Sequence, residues 1–208
     1  MKVAVISESP TDEAAIKILI DAIIGSKSEL ASLRARPGGW GNLFRDLSRI
    51  INILHYNQPD VEAMVVVMDS DDSPPHQQSH DQPDSEHPEC RLCLARTMVR
   101  AVLAETKALP NRAGLKTAIG LAVPAIEAWL RCGVDSHVNE VAWGRKLRGE
   151  AVGYDRLSLK LDTYGSNRPN TASAVEAAKR IAGNLEQLAE LFPNGFGCLL
   201  RDVRNWAE

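Results

Sequence analysis

Four acidic side chains stand where an apolar run ends: Glu8 closes MKVAVISE, Asp69 and Asp71 close VEAMVVVMDSD, and Glu127 follows IGLAVPAI. In an open α/β sheet, ligand sites are built at the carboxyl ends of the strands, so carboxylates at several such ends can converge. A set of hard oxygen ligands suits Mg²⁺ or Mn²⁺, and phosphate is the group such ions most often activate. Asp69 and Asp71 are two residues apart and share a face if the strand continues, whereas Asp72 points elsewhere. The same DSDD run also reads as a polar turn. Asp12, four residues after Glu8, either caps a helix or approaches the same cluster as a further ligand. Glu127 lies in the apolar stretch AVPAIEAWL, where an ionised side chain is costly unless paired, hydrogen-bonded or metal-bound. As a first-turn helical residue it would equally be favoured by the helix dipole.

A second constellation is softer. His87, Cys90 and Cys93 spell H-x2-C-x2-C, with His76 and His80 just upstream, giving five nitrogen and sulfur candidates for a structural Zn²⁺ site. The spacing matches no standard finger, and Cys90 and Cys93 also fit two positions on one helical face. Basic residues gather as Arg34, Arg36, Arg45 and Arg49, as Arg91, Arg96, Arg100 and Lys107, and as Arg145, Lys146 and Arg148. Phosphate contact is one use for them, and a solvated helix face, the reading taken for the middle cluster, is the commoner. Lys116, Lys146 and Lys160 lie nearest the segments that could form an active edge. The tryptophans Trp40, Trp129, Trp143 and Trp206 read as core or interface anchors and not as base-stacking platforms.

The elements that must position these residues follow from the hydrophobic pattern. A chain of 208 residues, 44% hydrophobic and 25% charged, can bury a sizeable core and does not have the composition of a disordered chain. With a formal charge of −3 it lacks the basic face of a free-standing nucleic-acid binder, so any such affinity needs local patches, metal ions or a partner. No stretch approaches the roughly 18 apolar residues of a membrane span, and the apolar run in MKVAVISESP is too short for a signal peptide. The expectation is a cytoplasmic protein without a membrane part, its four cysteines reduced. Strands are predicted at residues 2–7, 30–36, 61–69 and 115–123, the third mid-sheet because its β-branched run suits burial on both faces. Helices are predicted from Thr11 to Gly25, over 42–55 and 90–107, and from Pro124 onward, giving β-α-β-α-β-α-β-α. Residues 73–89, SPPHQQSHDQPDSEHPE, form a long polar loop, either functional or disordered. Helices then cover 138–147, 157–162, 172–181, 185–192 and 196–206. The domain reading is an α/β core over 1–135 and a helical C-terminal extension over 136–208 packed on it.

The ordered set ISESPTDEAAI, VVVMDSDDS and LAVPAIEAWL resembles a Toprim-type domain, in particular the domain of unknown function 4276 family, which is similar to the nuclease domain of overcoming-lysogenization-defect (OLD) proteins. LKLDTYG and GFGCLLRDV resemble that family's C-terminal pattern, so the likeness spans nearly the whole chain. It implies a mostly parallel central sheet flanked by helices. It also implies Glu8 as the Toprim glutamate, Asp69 and Asp71 as the metal-binding DxD pair, Glu127 as a further acidic member, and Lys160 as the favoured lysine. One position departs: Ser9 stands where Toprim proteins commonly have Gly, adding a Cβ at a turn that the chain must pass closely. The expected function is Mg²⁺- or Mn²⁺-dependent hydrolysis of phosphodiesters in DNA or RNA, as effector of an anti-phage defence system with an ABC-type ATPase encoded nearby. A homodimer is left open. The alternatives are a non-catalytic Toprim-like subunit that binds metal or a partner protein, and a phosphohydrolase acting on nucleotides.

Overall fold

A computed structural model describes residues 1–33, 39–82, 85–110 and 113–207. The chain builds a four-stranded, wholly parallel sheet in the order β2-β1-β3-β4, from β1 (Lys2–Ile6), β2 (Glu29–Leu30), β3 (Ala63–Asp69) and β4 (Lys116–Ala122). The fold class is α/β, with helices flanking the sheet and a helical C-terminal part. The third strand is buried from Ala63 to Met68 and lies between β1 and β4, as its unbroken apolar run requires. The second is the weakest element. It has only the two exposed residues Glu29 and Leu30, and the remainder of the predicted 30–36 strand is irregular to Leu33 or lies outside the described residues.

The first helix, α1 (Pro10–Ile24), joins β1 to β2, whereas α2 (Trp40–Asn57) joins β2 to β3 on the other side of β1. Right-handed crossovers running in opposite directions put these helices on opposite faces of the sheet. Leu43, Leu47, Ile50, Ile51 and Leu54 form the inward stripe of α2, and each contributes at most roughly 1.5–3 kcal/mol by its burial. Against α2 packs α3 (Arg91–Glu105), the crossover from β3 to β4.

After β4 come α4 (Ile126–Leu130), α5 (Glu140–Leu147), α6 (Arg156–Tyr164), α7 (Thr171–Ile181), α8 (Leu185–Leu191) and α9 (Phe196–Arg204). Of these, α7 and α9 pack on α1, and α9 also lies along β4. Gly120 permits that approach, because a Cβ there would stand 3.1 Å from Trp129 and 3.2 Å from Leu199. The outer backbone of β4 is closed by side chains: Ile119 N–H donates to Asp202 at 3.2 Å, and the Trp206 indole donates to the Thr117 carbonyl at 3.3 Å. Of the tryptophans, Trp129, Trp143 and Trp206 are buried. No helix among the described residues is long and apolar enough to cross a membrane.

Two local expectations change. The helix predicted from Pro124 begins at Ile126, because Ala125 is extended and serves as its N-cap. The strand carrying Asp69 does not run on to Asp71: it ends at Asp69, Ser70 N–H donates to the Ala122 carbonyl at 2.7 Å, and Asp71 adopts a left-handed φ of 49°. Thus the two aspartates do not share a face by strand alternation.

Candidate functional site

The sheet order makes β1 the strand from which the chain first leaves in one direction and then returns in the other. The crevice beyond the carboxyl ends of β1 and β3 is therefore the topological switch point, where open α/β sheets hold ligands. Glu8 leaves β1 just before Ser9 caps α1 by accepting from Asp12 N–H at 3.2 Å. Its carboxylate spans to the neighbouring strand end and accepts from Asp69 N–H at 3.4 Å. Asp69 accepts from Ile126 N–H at 3.0 Å and so fixes the start of α4, whose first turn carries Glu127, 3% exposed. Asp71 N–H donates to the Pro124 carbonyl at 3.0 Å, while its own carbonyl accepts from the Trp143 indole at 3.2 Å.

Two arginines stand among these acids. Arg156 reaches Asp69 at 2.9 Å with one guanidinium nitrogen and touches Asp71 with another. Arg91 donates to the Asp71 carboxylate at 2.7 Å and to the Asp69 carbonyl at 2.6 Å, beneath the ring of Trp40. Lys160 acts on both Asp12 and Glu127. Arg156, Lys160 and Tyr164 are spaced i, i+4, i+8 on α6, so one helical stripe supplies the site with two cations and a phenol. The phase of that stripe is set by the capping box of Asp155 and Ser158, whose reciprocal bonds are both 2.8 Å.

The acids raise one another. Burial pushes the Asp69 carboxyl well above the usual range, and the charges of Glu8, Glu127 and Asp12 add to it against Arg156. Burial lifts Asp12 to about 6, with Glu127 adding and the Ser9 hydrogen bond and Lys160 opposing. Glu8 and Glu127 are also raised, chiefly by burial. The Tyr164 hydroxyl, buried beside Glu127, makes no hydrogen bond of good geometry.

Among the described residues, two groups of His, Cys, Asp and Glu bring ligand atoms all within 4.8 Å of one another: His76, His80, Cys90 and Cys93, and His76, Asp81 and Cys198. Glu8, Asp12, Asp69, Asp71 and Glu127 form no such group, and arginines lie against Asp69 and Asp71. The His/Cys cluster can hold a metal ion such as Zn²⁺. Its membership corrects the sequence expectation, because His87 stacks on His80 at 5.2 Å and stays outside the four, whereas His76 and His80 belong to it.

Of the three lysines, Lys116 lies at the opposite end of β4 and donates to the Trp206 carbonyl, and Lys146 donates to the Tyr154 carbonyl at 2.6 Å. Lys160 is the one facing the acids. The middle basic cluster is a solvated face only in part: Arg100 and Lys107 are exposed, whereas Arg91 and Arg96 are half-buried and pair with Asp71 and Asp81. Arg34 and Arg36 lie outside the described residues. Sequence reasoning missed Arg156 and Tyr164, and the D-x-x-S cap before LKLDTY was the signal that would have phased them with Lys160.

Comparison with family models, with curated proteins and with solved structures finds no match for this chain.

Proposed function

We propose that the chain is a divalent-metal-dependent phosphodiesterase of Toprim type, a nuclease acting on DNA or RNA, and that it works with an ABC-type ATPase in defence against phage. One observation carries the chemistry: half-buried and buried acids that follow β1, end β3 and open α4 gather at the switch point of a parallel sheet, beside a cationic stripe on α6. The reading of family, ATPase and defence role rests on the sequence resemblance alone.

The donor set of Glu8, Asp12, Asp69, Asp71 and Glu127 fits Mg²⁺ or Mn²⁺ in kind. Four of these acids are held above their usual range, chiefly by burial and also by each other, even with Arg91, Arg156 and Lys160 beside them, so further positive charge would be favoured there. If Arg156, its side chain 36% exposed, swings away, Asp69 Oδ2 and Asp71 Oδ1 are released while Arg91 keeps Asp71 Oδ2. A bound divalent ion would supply an activated water and stabilise charge on the phosphoryl oxygens. Glu8, with its raised proton affinity, is the group suited to move a proton. Lys160 and the displaced Arg156 are placed to bind phosphate, the latter with a planar fork that matches it.

A second reading is favoured by the arginines themselves. Arg91 and Arg156 already neutralise Asp69 and Asp71, which is how a non-catalytic Toprim-like subunit would keep such a pocket folded without metal. Assays on labelled single- and double-stranded DNA and on RNA, with Mg²⁺ or Mn²⁺ and with or without the ATPase from the same gene neighbourhood, separate the two. Metal-dependent cleavage lost in Asp69→Asn supports the nuclease. Absence of cleavage under every condition, together with ATPase binding, favours the non-catalytic subunit.

A further inference from the structure

We propose that His76, His80, Cys90 and Cys93 bind one structural Zn²⁺, which clamps the segment after β3 onto the start of α3 and so sets Arg91 against the acidic edge. The proposal does not depend on the nuclease reading.

Three of the six edges among the four ligand atoms have the lengths of a zinc tetrahedron, and all four atoms lie within 4.8 Å of one another. With Zn–S of about 2.3 Å and Zn–N of about 2.0–2.1 Å, a tetrahedral S–N edge measures about 3.5–3.6 Å. The Sγ of Cys90 lies 3.6 Å from Nδ1 of His76, and that of Cys93 lies 3.5 Å from the same nitrogen and 3.7 Å from Nδ1 of His80. The ligand atoms are also sheltered: His76 is 1% exposed, and Cys90 and Cys93 are buried. Two nitrogens and two sulfurs complete a closed tetrahedral set, which marks a structural and not a catalytic site.

The surroundings support the ligands as metal sites do. His76 turns Nδ1 to the sulfurs and holds Nε2 against Asp81 at 3.1 Å, and Asp81 in turn accepts from Arg96 at 2.8 Å. A carboxylate on the far ring nitrogen fixes the tautomer and orientation of a metal-bound histidine. Cys90 is the N-cap of α3 and Cys93 lies in its first turn, so one helix start supplies both sulfurs.

The position in the chain gives the ion its consequence. His76 and His80 belong to the polar segment that leaves Asp69 and Asp71, whereas Cys90 and Cys93 open α3 on either side of Arg91. Four metal bonds would join loop to helix alongside the bonds that Arg96 and Arg100 of α3 make to Asp81 and Glu86. Arg91, between the two cysteines, is thereby held at 2.7 Å from Asp71.

Elemental analysis of full-length protein purified under reductant from zinc-supplied cells tests this directly, with about one zinc per chain expected. Exchange into Co²⁺ should give the intense visible bands of a tetrahedral site together with thiolate-to-cobalt charge transfer. The pairs Cys90→Ser with Cys93→Ser, and His76→Ala with His80→Ala, should lose the metal, while His87→Ala keeps it. Chelation of wild-type protein should raise the rate of proteolytic cutting within residues 73–89 about tenfold, because the loop then opens freely. Folded wild-type protein without zinc and without a cobalt spectrum after reconstitution overturns the site, even if the paired variants fail to fold. His87→Ala losing as much metal as the His76/His80 pair overturns the ligand set, and unchanged proteolysis after chelation overturns the clamp.

Discussion

The acidic edge and the His/Cys cluster begin from the same segment after β3, yet they meet their ligands differently. At the cluster, neutral or weakly polar side chains converge to within 4.8 Å of one another, because the fold can bury them at small electrostatic cost. At the edge, carboxylates that close together would repel, so Arg156 and Arg91 stand among them and their oxygens remain apart. Soft ligands can be assembled in advance by packing, whereas crowded anions need a resident cation that gives way. On the proposed reading, one site would hold a permanent ion and the other an exchangeable one.

The sharpest way to break this contrast is Asp69→Asn. The amide oxygen can still accept from Ile126 N–H, so the folded state should persist, while cleavage measured by gel assay should fall on the order of 10²–10³-fold. Zinc content should not change. Retention of wild-type cleavage would remove Asp69 from the proposed chemistry.

Next in size is a pH effect on stability. Asp12 has its carboxyl raised in the fold from 3.8 to about 6, so the folded state holds the proton more tightly than the unfolded state does. Its stabilising contribution is complete below about 3.8 and is lost as pH rises through about 6. In metal-free protein, Asp12→Asn should flatten this fall by about 2 kcal/mol, read from urea unfolding across pH 4–7. Saturating Mn²⁺ should shrink the difference between wild type and variant. If both show the same pH slope without metal, Asp12 does not belong to the strained cluster.

Arg156→Gln sharpens the idea of a cation that gives way. Without its competitor the edge should bind Mn²⁺ up to about tenfold more tightly by calorimetry, even as cleavage slows through loss of the phosphate contact. Weaker Mn²⁺ binding would make Arg156 a support of the site and not its placeholder. The smallest effect is expected from Lys116→Ala, at the far end of β4: cleavage should stay within about twofold of wild type, whereas Lys160→Ala should lower it about tenfold or more.

Much of the scaffold was legible because β1, β3 and β4 are continuous apolar runs, and β3 advertised its central place by β-branched residues alone. The strand after α1 was not, since its pairing is two residues long and makes no hydrophobic pattern. Glu8, Asp69 and Glu127 could be placed at one edge from strand ends, but the paired arginines could not. Arg156 is 87 residues from Asp69, and its approach depends on how α6 folds back over α4. The Asp71 turn was hidden for the opposite reason: a local reversal after a strong strand leaves no periodicity to read. Likewise the H-x2-C-x2-C spacing pointed to the right helix but the wrong histidine, because a loop's path, and not its spacing, brings His76 and His80 to the sulfurs.

The outer backbone of β4, where Ile119 and Thr117 are engaged by Asp202 and Trp206, has a consequence for how copies of the chain meet. A free strand edge is a template on which another chain can lengthen the sheet. Here one border is occupied by side chains of the C-terminal helix and the turn after it, and the other, among the described residues, is the two-residue strand Glu29–Leu30. Among the described residues neither border gives a foreign strand a long ladder to grip, which disfavours lengthening of the sheet by a second chain.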